Sequence, residues 1–169
     1  MYRINDRQEA VRRIQRYLAI AGSPQIFVAP TGVYDENTRL SVIDFKRENG
    51  LSADDTVDYE TFTRLCLRYD FLKEIAELKR GMPWVKFPVM KGAFFDKMRF
   101  INASLALALD YYGITHRLTE GRHFSAESAM AVRELRRIYQ LENGEHIDEE
   151  FMIRLIKDTD LIREINNSY

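Results

Sequence analysis

The sequence predicts an all-α fold in which two three-helix repeats pack together through an extended third helix and a connector. Two observations carry this expectation. A shift of 90 residues places Tyr34, Thr38, Val42, Phe45, Leu51, Val57, Asp58 and Leu65 on Phe124, Ser128, Val132, Leu135, Leu141, Ile147, Asp148 and Leu155. Every apolar position stays apolar, as in a duplicated supersecondary unit. Four residues suited to helix N-caps, Asp35, Asp58, Ser125 and Asp148, also stand at matching places, each just ahead of a segment of helical periodicity.

Taken in order, Asp6 and Glu9 have capping-box spacing, and Val11, Ile14, Leu18 and Ala21 recur at helical intervals. A first helix is expected over 6–21, closed by Gly22 as a left-handed cap. Residues 23–32 hold two prolines and read as a loop that brings Tyr34 onto the core. Asp35 caps a second helix with Thr38, Val42 and Phe45 inward, ending near Asn49 and Gly50. Asp58 caps a third, with Phe62, Leu65, Cys66, Tyr69 and Leu72, which meets no breaker before Gly81. It would run about 20 residues, or roughly 30 Å, and its later turns over 69–78 are expected to find no partner inside the first repeat.

Residues 81–95 contain prolines at 83 and 88 and read as an extended connector whose Trp84 and Phe87 plug the seam between the repeats. A second copy over 96–169 opens with a helix over 96–112, aligned with the first at a shift of 91. Its last helix turns Met152, Leu155 and Ile156 inward and continues through Leu161 and Ile165. The expected domains are therefore 1–80, 81–95 and 96–169.

Composition sets the function classes. With 46% hydrophobic and 12% aromatic residues, the chain has ample material for a core. The 25 basic and 26 acidic residues leave a formal net charge of -1, so no global field draws nucleic acid or an anionic membrane. Arg12, Arg13 and Arg16, and Arg133, Arg136 and Arg137, are interspersed with acids and read as solvated faces. Cys66 is the only cysteine, which excludes an intrachain disulfide and suits a buried, inert thiol. The N-terminal stretch is charged and amphipathic, with no run suited to a signal peptide or a membrane span, so the cytoplasm is the expected compartment.

Val11-x-x-Ile14-Gln15-x-x-Leu18, Thr31-Gly32-x-Tyr34-x-x-x-Thr38, Ser41-Val42-x-x-Phe45 and Gly50-Leu51 form one pattern, completed by Asp54-x-x-Val57-x-x-x-Thr61-x-x-x-Leu65. It resembles the peptidoglycan-binding domain family, the three-helix module often attached to bacterial cell-wall hydrolases. The resemblance covers residues 10–65 and, in weaker form, 101–155. Departures are systematic. The glycine that closes each turn motif is Asp35, Asp58, Ser125 or Asp148, and the family's A-V-x-x-F-Q glutamine is Lys46 or Arg136. Gln15 becomes Ala106 in the second copy.

The resemblance implies non-catalytic binding of peptidoglycan, or of a related glycan or stem peptide, through the repeat turns. The alternative is an intracellular protein-interaction module that reuses the scaffold. A wall ligand would meet Tyr34, Asp35, Asn37, Thr38 and Tyr59. Asp35 and Glu36 fill the helix N-terminus and repel a carboxylate, so an ammonium is the expected guest, with Tyr34 or Tyr59 facing a sugar ring. A wall location would then require release or a trimmed leader. No cofactor is called for. Asp54 and Asp55 are adjacent turn residues, and no nucleophile motif or phosphate-cradling loop is present, so no catalytic residue is assigned. His116, His123 and His146 lack a third ligand at metal-site spacing and read as surface residues.

Overall fold

The computed structural model describes residues 4–118 and 121–168, and of residues 4–6 the backbone alone. It contains six helices, α1 (Ile4–Ala21), α2 (Glu36–Glu48), α3 (Tyr59–Gly81), α4 (Met98–Tyr111), α5 (Ala126–Ile138) and α6 (Glu149–Asn166). Two isolated antiparallel bridges, Val89 with Ile147 and Phe94 with His123, are the only β pairing among the described residues. The chain divides into two compact units, Met1–Glu74 and Ile75–Tyr169. The division falls inside α3, and residues 81–95 lie within the second unit.

In the first unit the apolar stripes of the three helices converge. Leu18, Ala21, Val28, Val42, Phe45 and Leu65 are buried together, with Ile14, Tyr17, Ile26, Val57, Tyr69 and Leu72 packed around them. Tyr69 thus has a partner inside the first unit, its ring lying 4.3 Å from that of Tyr17 between centroids. The expectation that α3 runs out of contacts at Tyr69 is therefore corrected: the long first helix reaches far enough to cover it. Cys66 is half-buried, and desolvation pushes its thiol pKa up, which keeps it protonated and unreactive.

Two helix ends differ from expectation. α1 starts at Ile4, so Asp6 lies within the helix and is not its N-cap; its side chain lies outside the described residues. Gly22 does not adopt the left-handed conformation. It is needed for space instead: a Cβ there would stand 2.6 Å from the Leu18 carbonyl oxygen and 2.8 Å from Ser41 Oγ. The α2 exit follows the expected pattern, with Asn49 as C-cap and Gly50 at φ 67°. At the corresponding exit of α5 the left-handed residue is Gln140, at φ 56°, a conformation that costs a non-glycine residue about 1 kcal/mol.

The second unit is built on Leu105, Leu109, Phe124, Val132, Leu135, Ile147, Phe151 and Leu155, all essentially inaccessible. Ile156 is 37% exposed and Leu161 54%, so the inward stripe of α6 runs instead through Met152, Leu155, Thr159 and Ile162, the three- and four-residue spacing of one helix face. Trp84 packs within this unit, with its ring 6.0 Å from Phe95 and beneath Lys97. Backbone bonds from Val89 to Ile147 and from Phe124 to Ala93 tie the connector to the turns that precede α6 and α5.

Candidate ligand-binding site

The first turn of the first unit hangs from one buried amide. Gln15, inaccessible on α1, donates from Nε2 to the Val33 carbonyl at 2.8 Å and to Thr38 Oγ1 at 2.9 Å, and its Oε1 accepts from the Gly32 amide at 2.9 Å. Gly32 sits at φ 85°, and a Cβ there would press on the Gln8 carbonyl and the Arg12 side chain at 3.0–3.2 Å. Only glycine fits that approach. Thr38 Oγ1 in turn donates to Asp35 Oδ1 at 2.6 Å, and the Thr38 amide donates to the same oxygen at 2.9 Å. One chain of bonds thus links α1, the turn and the α2 N-cap.

The second turn has its own buried anchor. Lys46 is 1% exposed; its Nζ donates to Asp54 Oδ1 at 2.7 Å and to the Thr56 carbonyl at 3.2 Å. Asp54 Oδ1 also accepts from the Thr56 amide and hydroxyl. Together these bonds hold the Asp54 carboxyl far below the usual carboxylate range. Asp58 accepts from the Thr61 amide at 2.7 Å and caps α3. The two turns are joined where the Tyr34 hydroxyl donates to the Asp55 carbonyl.

This geometry sorts the expected ligand residues. Thr38 is fully buried and spent on Asp35 and Gln15, so it cannot touch a ligand. Asn37 is exposed but its Nδ2 donates to the Phe27 carbonyl at 3.0 Å, fastening the preceding loop. Tyr34 is 39% exposed, on the surface rather than on the core. Tyr59 is 86% exposed, and among the described residues its side chain has no ring or hydrogen-bond partner. Asp35 uses Oδ1 for the cap, while Glu36 is held by Arg39 through two bonds of 2.8 and 2.7 Å. Asp55, read from sequence only as a solvated turn residue, has a carboxylate without an ion pair among the described residues. It lies close enough to Tyr34 to raise its pKa, second to desolvation.

The caps also make the first unit sensitive to acid. Asp35, Asp54 and Asp58 all have folded-state pKa values below their usual range, because each accepts hydrogen bonds as a carboxylate. The unfolded chain therefore takes up protons that the folded chain refuses. Stability is full above the ordinary carboxylate range and falls as pH drops through and below it. Urea midpoints measured from pH 7 down to pH 3 should decline, with a shallower decline in Asp54→Asn. A flat profile would contradict the cap bonding.

The second unit has buried polar anchors of its own. Asn102, 2% exposed on α4, donates to the Gly121 and His123 carbonyls at 2.8 and 3.2 Å and accepts from Ser128 Oγ at 2.9 Å. Arg136, 3% exposed, reaches the Glu142 and His146 carbonyls and the Asp148 carboxylate. Its exposed chemistry is different. At the sequence shift of 90 residues, Tyr34 aligns with Phe124, which is buried, Asp35 with Ser125, and Tyr59 with Glu149, which is paired with Lys79 at 2.8 Å. No three His, Cys, Asp or Glu side chains among the described residues are grouped to hold a metal.

The fold and turns of the first unit define a small three-helix module whose two capped turns are fastened to a buried amide and a buried ammonium. Residues 7–65 match the family described as "Putative peptidoglycan binding domain", so this part of the chain is similar to that family. The match stops at residue 65 and does not extend into the second unit. Neither a curated protein nor a solved structure matches the chain.

Proposed function

We propose that the chain is a non-catalytic binding protein that holds bacterial cell-wall peptidoglycan on the turn surface of its first unit. The family match over residues 7–65 carries this reading. The turn surface adds the chemistry: the second carboxylate oxygen of Asp35 and the carboxylate of Asp55 are left for a cation, beside the half-exposed ring of Tyr34. The ammonium of a diamino acid in the stem peptide is the group that fits, and Tyr34 and Tyr59 offer faces for a sugar ring.

The second unit is read as a second, diverged copy that keeps the scaffold and has lost the ligand surface. Its caps at Ser125 and Asp148 and its buried Asn102 and Arg136 support the common scaffold. The buried Phe124 and the ion-paired Glu149 support the loss.

Co-sedimentation with purified sacculi tests the proposal. The intact chain should pellet with sacculi, Asp35→Asn should bind about two- to fivefold less, in the range of an exposed ion pair, and Tyr59→Ala should bind less without a change in melting temperature. Failure of the unaltered chain to pellet would overturn the wall reading. Equal binding by Asp35→Asn would overturn only the ammonium argument.

A further inference from the structure

Among the described residues most cations that make ion pairs do so locally, but residues 84–100 of the second unit break the pattern. Lys86, Lys91, Lys97 and Arg99 form no ion pair among the described residues. The segment's only carboxylate, Asp96, is taken by Arg122 at 2.8 Å. Glu127 feels Lys91 without bonding it. The same segment exposes three large apolar side chains, Met90 at 58%, Phe94 at 66% and Phe100 at 56%. A net charge of -1 conceals this local surplus, because the compensating acids lie elsewhere.

These groups share one surface. Trp84, Lys86, Met90, Lys91 and Phe94 line a single recess of about 440 Å³. Trp84 also lines the adjoining recess with Lys97 and Phe100. The backbone that presents them is fixed rather than floppy. Ala93 closes a turn onto the Met90 carbonyl, with Gly92 at φ 96°, and the Gly92 amide and Ala93 carbonyl are bonded to Phe124. Met90 and Lys91 therefore stand at the tip of a pinned turn.

We propose that this face docks on an anionic phospholipid surface, with Met90, Phe94 and Phe100 entering the interface and the four cations meeting the headgroups. Apolar tips flanked by unpaired cations are what peripheral attachment requires, since neither burial nor charge suffices alone. Two other anionic partners fit less well. Single-stranded nucleic acid stacks bases on open rings, but Trp84, Phe94 and Phe100 each already carry a cation over one face, Lys97 at 4.9 Å, Arg122 at 5.6 Å and Arg99 at 4.8 Å. An acidic peptide would anchor its own apolar side chains in a pocket, whereas here the apolar groups stand mostly in solvent. No helix of the described residues is long and apolar enough to cross a membrane, so attachment would be peripheral. The inference is independent of wall binding, which uses the first unit.

Trp84 is the only tryptophan and lies within the docking face, so its fluorescence reports occupancy directly. The full chain is titrated with vesicles of about one-third phosphatidylglycerol in phosphatidylcholine, with phosphatidylcholine alone, with an oligothymidylate and with polyglutamate. Trp84 emission should shift to the blue and the chain should co-sediment with the anionic vesicles only, with release at high salt. Each lysine near an anionic surface contributes about fivefold to partitioning, so Lys86→Ala with Lys91→Ala should bind about thirtyfold more weakly. Phe94→Ala should also bind more weakly, with an unchanged circular dichroism spectrum. The proposal is overturned by absent binding to anionic vesicles, by equal binding to neutral ones, by full retention in the double variant, or by a response to oligothymidylate or polyglutamate alone.

Discussion

Phe45→Ala is expected to lower the unfolding free energy of the first unit by about 3–5 kcal/mol, the largest effect of any single truncation in it. Phe45 is 1% exposed and packs at the centre of the cluster formed by Leu18, Val42 and Leu65. α2 brings it there because Thr38, Val42 and Phe45 lie on one helical stripe. Its chain neighbour Lys46 is tied to Asp54 and is not free to fill the void. A small domain holds only about 5–15 kcal/mol in total, so the variant should approach the folding threshold. Urea unfolding followed by circular dichroism measures it. A loss below about 1 kcal/mol would remove Phe45 from the core.

Gln15→Leu should cost about 2–4 kcal/mol although it adds no cavity and replaces a polar side chain with an apolar one. The penalty arises because the buried Gly32 amide loses its acceptor, and the Val33 carbonyl and Thr38 hydroxyl lose a donor. Asn102→Leu should cost a similar amount in the second unit, whereas Ala106→Gln should change stability by no more than about 0.5 kcal/mol, as expected away from such networks. The contrast distinguishes a buried amide that organises the turn from a residue merely aligned with it. Equal effects at Ala106 and Asn102 would refute that distinction.

Much of the scaffold was legible because it rests on short-range signals. Asp35, Ser125 and Asp148 cap the helices that their spacing announces, each through its side chain to a backbone amide three residues on. The buried amide of the second unit was not legible. Apolar alignment pairs Gln15 with Ala106, yet the residue that contacts the His123 carbonyl and Ser128, which the same alignment sets against Val33 and Thr38, is Asn102. It lies one helical turn earlier on the same face, a shift that a linear alignment cannot reveal and a 3.6-residue period permits. The geometry of the candidate surface was less legible. Tyr34, Asp35, Asn37, Thr38 and Tyr59 read as candidate ligand residues, with no sign in the sequence that Thr38 was already spent inside the turn or that Asp55 stood beside Tyr34 without an ion pair among the described residues. Likewise nothing in the sequence marked Lys46, which stands where the family pattern has glutamine, as interior.

The bonds from Gln15 to residues 32–38 carry a consequence for the order of folding. The loop before α2 has little to hold it until α1 offers its amide, and α1 has a buried polar group to satisfy until the loop arrives. Each therefore completes the other, across a separation of 23 residues between Gln15 and Thr38. Closing a loop of that length is entropically mild, since the cost grows only logarithmically. The earliest long-range event in this unit should then be the docking of the Gly32 turn onto α1, which fixes the N-cap of α2 before α3 has packed.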